Sequence, residues 1–382
     1  MKILFDHQVF TCQSYGGVSR IFNELIQNLI PKDEAELSIF AGLHISNFPL
    51  DELKKQVSYY WGNRFFRFPY DRIILKKINN VLFKYIMRAS DTQSGKKDNR
   101  VPDIYHPSGY SPVVYNWKKS PLVLTINDMI PELFPGNFKD IKIRLENKRK
   151  CIERADHIIA ISYTTKNDLM KFYPVDEKKI SVIYPGALTQ NVERYDCKPY
   201  EHEKPYILYV GTRKQGYKNF EGLLAAYAGT KHIKDDYDVI CFGGPDFNRD
   251  ERDVMSMLNV LDNVYYAEGN DLQLARLYAG ASLFIYPSLY EGFGLPPLEA
   301  MALGCPVVSG RVSVMPEVLG DAVAWCEQHS PQSIATAMEE VLIDEQRRQE
   351  LIEKGKEQVK KYSWSQMAEE TYAVYRQITG IE

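Results

Sequence analysis

From Ile3 to Trp325 this 382-residue chain alternates short apolar runs with amphipathic helical stretches. That alternation specifies stacked β-α-β units and parallel sheets, because strands buried on both faces read as continuous apolar runs. In the first half the runs Ile3–Phe5, Leu37–Phe40, Ile104–His106, Leu122–Ile126, His157–Ile161 and Ser181–Tyr184 are predicted strands. Between the first two, Val18, Ile21, Phe22, Leu25, Ile26 and Leu29 repeat at i, i+3, i+4, i+7, i+8 and i+11, one apolar face of a helix. A second series follows at Tyr206–Val210, Val239–Phe242, Val264–Tyr266, Leu283–Tyr286, Val307–Val308 and Ala322–Trp325. The polar, aperiodic stretch Leu188–Pro205 separates the two series and reads as a linker. The length suits two domains. The prediction is α/β: two doubly wound Rossmann-like domains, residues 1–190 and 191–363. Ligands of such sheets bind at the carboxyl ends of the strands, so the site is expected in a cleft across which the domains face each other.

Composition narrows the function. Apolar residues at 45% and charged residues at 25% describe a soluble globular protein, and a net charge of −3 gives no footprint for nucleic acid. The six cysteines, at 12, 151, 197, 241, 305 and 326, form no C-x-x-C pair and meet no clustered histidines. They are expected as reduced thiols in a cytoplasmic protein, without a zinc site. The first apolar run is too short for a signal peptide, and no segment approaches the roughly 20 apolar residues that span a bilayer.

The most chemically specific segment is Tyr290-Glu291-Gly292-Phe293-Gly294-Leu295-Pro296-Pro297-Leu298-Glu299. It sets two carboxylates eight positions apart, on either side of a glycine-rich turn that follows a predicted strand. Pro296 and Pro297 suit the start of a helix and Gly304 its end. A strand, a glycine turn and a helix N-terminus form an anion site from backbone N–H groups. Carboxylates do not bind phosphate, so their presence there points to a ligand with hydroxyls as well, the makeup of a nucleotide sugar. Gly211-Thr212-Arg213 follows the first strand of the second series, and Lys218 opens a helix. Two cations so placed suit a diphosphate, Arg as a fork and Lys as a point charge. The plain alternatives are a solvated basic loop and locally capping acids.

The segment resembles the E-x7-E signature of retaining glycosyltransferases with the GT-B fold, of family 4 (group 1). The likeness runs from Gly16-Gly17 to the last helix. It implies a hexosyltransferase using a UDP- or GDP-linked sugar, with no other cofactor and no metal. It gives Glu291 the donor sugar hydroxyls, the Gly292, Phe293, Gly294 and Leu295 backbone the sugar and diphosphate, Glu299 the ribose, and Arg213 and Lys218 the diphosphate. Glu268, in Ala267-Glu268-Gly269, is placed near the base. Gly16 and Gly17 match the family's donor-side loop, and a final helix within 364–382 is expected to return to the first domain. Relatives commonly carry His-Asp where this chain has Asn127-Asp128. Either the histidine is dispensable, or His106 takes over, or activity is weak. Asp128 is expected to contact sugar or acceptor, or to cap a helix. Asp236-Tyr237-Asp238 spells a metal motif but precedes a strand, and is expected as a solvated turn. The expected mechanism needs no general base, because the leaving diphosphate takes the acceptor proton on the same face.

Arg64–Arg88 holds seven Lys or Arg and one acid, Asp71, interleaved with large apolar residues. One expectation is peripheral contact of stretch 64–88 with the inner face of an anionic membrane, as for relatives that build lipid-linked glycans. The other is a buried helix with a solvated basic face. The acceptor is expected to be a glycan or lipid-linked glycan in surface polysaccharide biosynthesis. Two other classes stay open: a nucleotide-sugar epimerase or phosphorylase of the same fold, and an inactive nucleotide-binding homologue.

Overall fold

The computed structural model of the protein describes residues 1–13, 16–30, 35–48, 50–65, 71–89, 101–187, 198–214 and 216–381, with backbone only at 51–52, 59, 71–72 and 86–89. Tyr15, Phe66, Phe68, the polar run 91–100, linker residues 188–197 including Cys197, and Gln215 lie outside the described residues. The chain divides into two compact units: Met1–Gly186 with Trp364–Glu382, and Ala187–Ser363.

In the first unit the parallel strands are β1 (Lys2–Phe5), β2 (Glu36–His44), β3 (Tyr59–Arg64), β4 (Ile104–His106), β5 (Val123–Ile126), β6 (His157–Ala160) and β7 (Ile180–Val182). They run in the orders β3-β2-β1-β4 and β5-β6-β7, joined by a parallel bridge between Tyr105 and Leu122. β3 is absent from the expected set, because Gly62, Asn63 and Arg64 break its apolar pattern. It holds the sheet edge by stacking Trp61 on Phe40, with ring centroids 4.9 Å apart. Arg64 therefore ends a strand, so the basic stretch 64–88 is not one continuous helix. Helix Asp71–Ala89 carries its residues 71–88.

That helix is fixed to the sheet by a polar residue. β2 shifts register between Phe40 and Gly42, where Gly42 takes φ +67° and leaves room for a side chain of the helix. Buried Asn79 fills the room, accepting from the Leu43 N–H at 2.8 Å and donating to the Leu43 carbonyl at 2.9 Å. Helix Gly17–Leu29 buries Ile21, Phe22, Leu25, Ile26 and Leu29, the face its periodicity predicts. The last helix, Trp364–Thr379, packs on this unit and sends Tyr375 to His106.

The second unit is one six-stranded parallel sheet. Its strands are β8 (Tyr206–Val210), β9 (Asp238–Phe242), β10 (Val264–Ala267), β11 (Leu283–Tyr286), β12 (Val307–Gly310) and β13 (Ala324–Cys326), in the order β10-β9-β8-β11-β12-β13. This is the Rossmann order, which reverses between β8 and β11. Helices Phe220–Gly229 and Pro331–Ile343 supply Leu223, Tyr227, Met338 and Val341 to a core closed by Ile207, Val239, Leu283 and Val308. Asp238 departs from expectation: it is no solvated turn residue. It opens β9 buried, 2.9 Å from His202 Nε2, at the amino end of the sheet.

Candidate active site

In the second unit the E-x7-E segment grows from β11, whose four residues are all buried. Two contacts hold its first turn: the Leu289 N–H donates to the Tyr217 carbonyl at 2.7 Å, and Asn219 Nδ2 to the Pro287 carbonyl at 3.1 Å. The Glu291 N–H then donates to Ser313 Oγ at 3.0 Å. Gly294 takes φ +101°, a conformation open to glycine, and starts helix Leu295–Ala302. That helix stops at Gly304, φ +73°, where the Cys305 N–H returns to the Ala300 carbonyl at 2.9 Å. Pro296 and Pro297 begin the helix without N–H groups, so Leu295 alone offers one among the first three helical residues. The anion cradle is accordingly narrower than a helix start of ordinary sequence supplies.

Lys218 and Glu291 meet in this turn. Lys218 Nζ lies 2.6 Å from Glu291 Oε1, and the two side chains keep 14% and 10% of their surface exposed. The ammonium also lies 3.4 Å from the Tyr286 hydroxyl and sits over the Tyr286 and Tyr217 rings at 5.3 and 5.4 Å. Burial, then the Glu291 charge, push the Tyr286 phenol well above its usual range, so it stays protonated as a donor. The charge pair is thus held between two rings yet reachable from solvent. Glu299 is buried on helix Leu295–Ala302, 3.5 Å from the Tyr278 hydroxyl. The Phe293 side chain packs edge-on to Tyr362, with ring centroids 5.4 Å apart.

Arg213 is placed differently from the expected diphosphate fork. Its side chain is 1% exposed. Nε donates to Glu251 at 3.1 Å, Nη1 to the Gly243 carbonyl at 2.9 Å, and Nη2 to the Pro245 carbonyl. Phe247, Tyr266 and Phe220 surround the guanidinium at 4.7, 5.6 and 5.9 Å. Glu268 is exposed, with Oε2 3.0 Å from the Tyr266 hydroxyl. Glu251 escaped the sequence reading although Asn248-x-x-Glu251 spells a capping box, which the structure forms.

In the first unit Gly16 precedes helix Gly17–Leu29. Gln13 Oε1 accepts from the Ser19 N–H at 3.1 Å, at the start of this helix. A Cβ on Gly16 would lie 2.5 Å from Gln13 Oε1 and displace that cap. Asn127 follows β5, and its Oδ1 is buried without a hydrogen-bond donor among the described residues. Asp128 Oδ1 accepts from the Ile130 N–H at 2.9 Å, a two-residue turn just ahead of helix Ile130–Leu133, whose N-cap position is Met129.

His106 is closed to the role of substitute for a catalytic histidine. It is fully buried, Nδ1 bonded to the Tyr375 hydroxyl and Nε2 2.8 Å from Thr125 Oγ1. Burial pushes its pKa down to about 3, so it is neutral and held by protein. Beneath Asn127–Asp128 lies a pair with no sequence signature: Lys148, buried, 2.8 Å from Glu132 and donating to the Asp128 carbonyl at 2.9 Å. The Tyr173 hydroxyl completes it, donating to Glu132 at 2.7 Å. Among the described residues no three His, Cys, Asp or Glu gather as a metal site, and no disulfide joins the five described cysteines.

Helix Asp71–Ala89 turns Leu75, Asn79 and Phe83 to the interior. Ile74, Ile78, Val81 and Tyr85, at i, i+4, i+7 and i+11, form an outward apolar stripe, with Val81 67% and Tyr85 72% exposed. Lys77 and Lys84 flank it, exposed. Among the described residues no helix is long and apolar enough to cross a membrane.

Each half of the chain matches a glycosyltransferase family model. Residues 15–190 match that of Glycosyltransferase Family 4, and residues 196–358 that of Glycosyl transferases group 1. The chain belongs to this glycosyltransferase family, and its fold is GT-B. Over 394 aligned positions it is 27% identical to O-antigen chain mannosyltransferase B of Escherichia coli, covering 98% of this chain and 100% of that one. It is 30% identical over 221 residues to O-antigen chain mannosyltransferase RfbU of Salmonella typhimurium (strain LT2), spanning 57% of this chain and 60% of the relative. The crystal structure of Anabaena Alr3699/HepE in complex with UDP and glucose superposes with a TM-score of 0.71 at 16% identity, over 99% of this chain and 100% of that one.

Proposed function

We propose that the protein transfers a hexose, mannose by likeness to its relatives, with retained configuration from a nucleoside diphosphate sugar to a hydroxyl of a growing surface glycan. The observation that carries this is the Lys218–Glu291 pair, 2.6 Å apart at the start of the E-x7-E segment. As the bond from the sugar's anomeric carbon to phosphate breaks, the departing diphosphate gains negative charge. A fixed, partly desolvated ammonium stabilises that charge without reorganising. The acceptor oxygen bonds the same face of the anomeric carbon, and its proton passes to the departing phosphate oxygen. The chain then needs no imidazole, which agrees with Asn127 and with a neutral, enclosed His106. Glu299 suits a ribose diol, and Glu291 suits sugar hydroxyls while it orients Lys218.

The test is incubation with GDP-mannose, UDP-glucose and UDP-galactose, each with and without a lipid-linked glycan acceptor. Transfer in the presence of acceptor, with an α-linked product from an α-linked donor, supports the reading. An altered sugar nucleotide formed without acceptor identifies an epimerase instead, and binding without turnover an inactive homologue. The stripe Ile74–Tyr85 with its flanking lysines supports peripheral docking on an anionic bilayer. Vesicles containing phosphatidylglycerol should then sediment the protein, and Val81→Glu should release it. Equal binding to neutral phosphatidylcholine vesicles counts against an electrostatic component.

A further inference from the structure

We infer that Ser313 is a positioning residue for Glu291: its hydroxyl fixes the backbone from which the Glu291 carboxylate reaches the donor sugar and Lys218. This rests on the donor reading above and concerns what holds one half of the Lys218–Glu291 pair in place.

Ser313 lies in the turn between β12 and helix Met315–Leu319. One hydroxyl meets both backbone groups of Glu291. Ser313 Oγ accepts from the Glu291 N–H at 3.0 Å and donates to the Glu291 carbonyl at 3.2 Å. The N–H and the carbonyl lie on either side of the Glu291 Cα. Holding both fixes the two soft torsions of that residue, and with them the direction of its side chain. The side chain ends 2.6 Å from Lys218 Nζ. The turn that carries Ser313 is itself anchored. Val314 and Met315 are buried, the Met315 N–H donates to the Val312 carbonyl at 3.0 Å, and the Arg311 N–H to the Cys326 carbonyl at 3.0 Å. Met315 also packs on Gly294, where a Cβ would lie 2.8 Å from its Cε. The turn therefore bears on both ends of the run Glu291–Gly294.

The backbone at Ser313 shows what the hydroxyl does there. Among the described residues, Asp140, Asn219, Asn259 and Ser313 are the ones other than glycine with positive φ. Asp and Asn tolerate that region through local hydrogen bonds of their side chains. Ser313, at φ +47°, directs its hydroxyl to Glu291 instead. A glycine would take this conformation without strain, so the serine combines a strained backbone with a two-point contact. The other half of the pair is anchored through different atoms. Asn219, next to Lys218, donates from Nδ2 to the Pro287 and Gln328 carbonyls at 3.1 and 2.7 Å. Loss of the Ser313 hydroxyl therefore releases Glu291 and leaves Lys218 in place.

The test compares Ser313→Gly and Ser313→Ala with wild type, in transfer kinetics with GDP-mannose, UDP-glucose and UDP-galactose and in calorimetric titration with UDP and GDP. In Ser313→Gly, kcat/KM for the donor that wild type uses should fall about tenfold or more, while affinity for the matching free nucleotide stays within about twofold. Its melting temperature should lie within about 3 °C of wild type, because relief of left-handed strain offsets the lost hydrogen bonds. Ser313→Ala should show the same kinetic loss with a lower melting temperature, since it keeps the strain. If Ser313→Ala does not fold, Ser313→Gly carries the test alone. A merely structural role predicts wild-type kinetics for Ser313→Gly, and that result overturns the inference. A loss of free-nucleotide affinity parallel to the loss of kcat/KM also overturns it, since the whole site would then have moved. Either result spares the donor reading. Wild type that transfers from none of the three donors overturns both.

Discussion

The two units share one sheet order but treat charge at the carboxyl ends of their strands differently. In the first unit two ionisable groups near those ends are enclosed: His106 between Tyr375 and Thr125, and the helix residue Lys148 against Glu132. In the second, one cation is enclosed and the other is not. Arg213 serves Glu251 and two carbonyls, whereas Lys218, with Glu291, keeps a face to solvent. Position at a strand end and enclosure are therefore separate properties. A buried ion whose partners are all protein cannot leave them without a desolvation cost.

The largest effect should come from breaking the enclosed pair of the first unit. Lys148→Met leaves the Glu132 carboxylate buried without its cation, and should cost about 3–5 kcal/mol of stability. Urea denaturation measures this, and Lys148→Met combined with Glu132→Leu should recover a good part of the loss. A single variant within about 1 kcal/mol of wild type would mean that the pair is not closed to water as the comparison requires.

Next is the open pair. Lys218→Met should lower kcat/KM about 10²–10³-fold, the usual range for losing one donor to a developing oxyanion. Its melting temperature should fall less than that of Lys148→Met, because the Lys218 and Glu291 side chains keep 14% and 10% of their surface exposed where those of Lys148 and Glu132 keep 2% and 3%. An unfolded Lys218→Met protein would erase the distinction between the two units.

A third contrast uses pH. His106 has its folded pKa lowered to about 3 from an ordinary 6.5, so the unfolded chain binds a proton that the folded one does not. Stability contributed by keeping it neutral is fully present above about pH 6.5 and is lost as pH falls toward 3. Between pH 6.5 and 4.5 the loss reaches about 2–3 kcal/mol. His106→Gln should flatten that slope relative to wild type, as read from chemical denaturation at each pH. Identical slopes would show that His106 does not titrate on unfolding.

Much of the fold was legible because buried parallel strands are continuous apolar runs, as Tyr206–Val210 and Leu283–Tyr286 show. β3 was not, since an edge strand tolerates Gly62, Asn63 and Arg64. The E-x7-E turn was legible from its glycines and prolines. The partners of Arg213 were not, because two of them are backbone carbonyls, which every residue carries. Lys148 was hidden for a related reason. It lies in a helix reading Ile-Lys-Ile-Arg-Leu-Glu-Asn-Lys-Arg-Lys, where nothing marks one lysine as buried.

The smallest effect separates backbone strain from function inside one helix. Gly294 and Gly304 bracket Leu295–Ala302, at φ +101° and +73°. Alanine at either should cost about 1–3 kcal/mol, because an L residue is strained there. A Cβ at Gly304 meets nothing within 4 Å, whereas one at Gly294 lies 2.8 Å from the flexible end of Met315. Gly294→Ala should therefore destabilise somewhat more, and it alone should raise the donor KM, since it reorients the turn that carries Glu291. Thermal melts with donor kinetics on both variants read the two effects separately. A similar rise in KM for Gly304→Ala would attribute the change to a loosened helix and remove Gly294 from the donor loop.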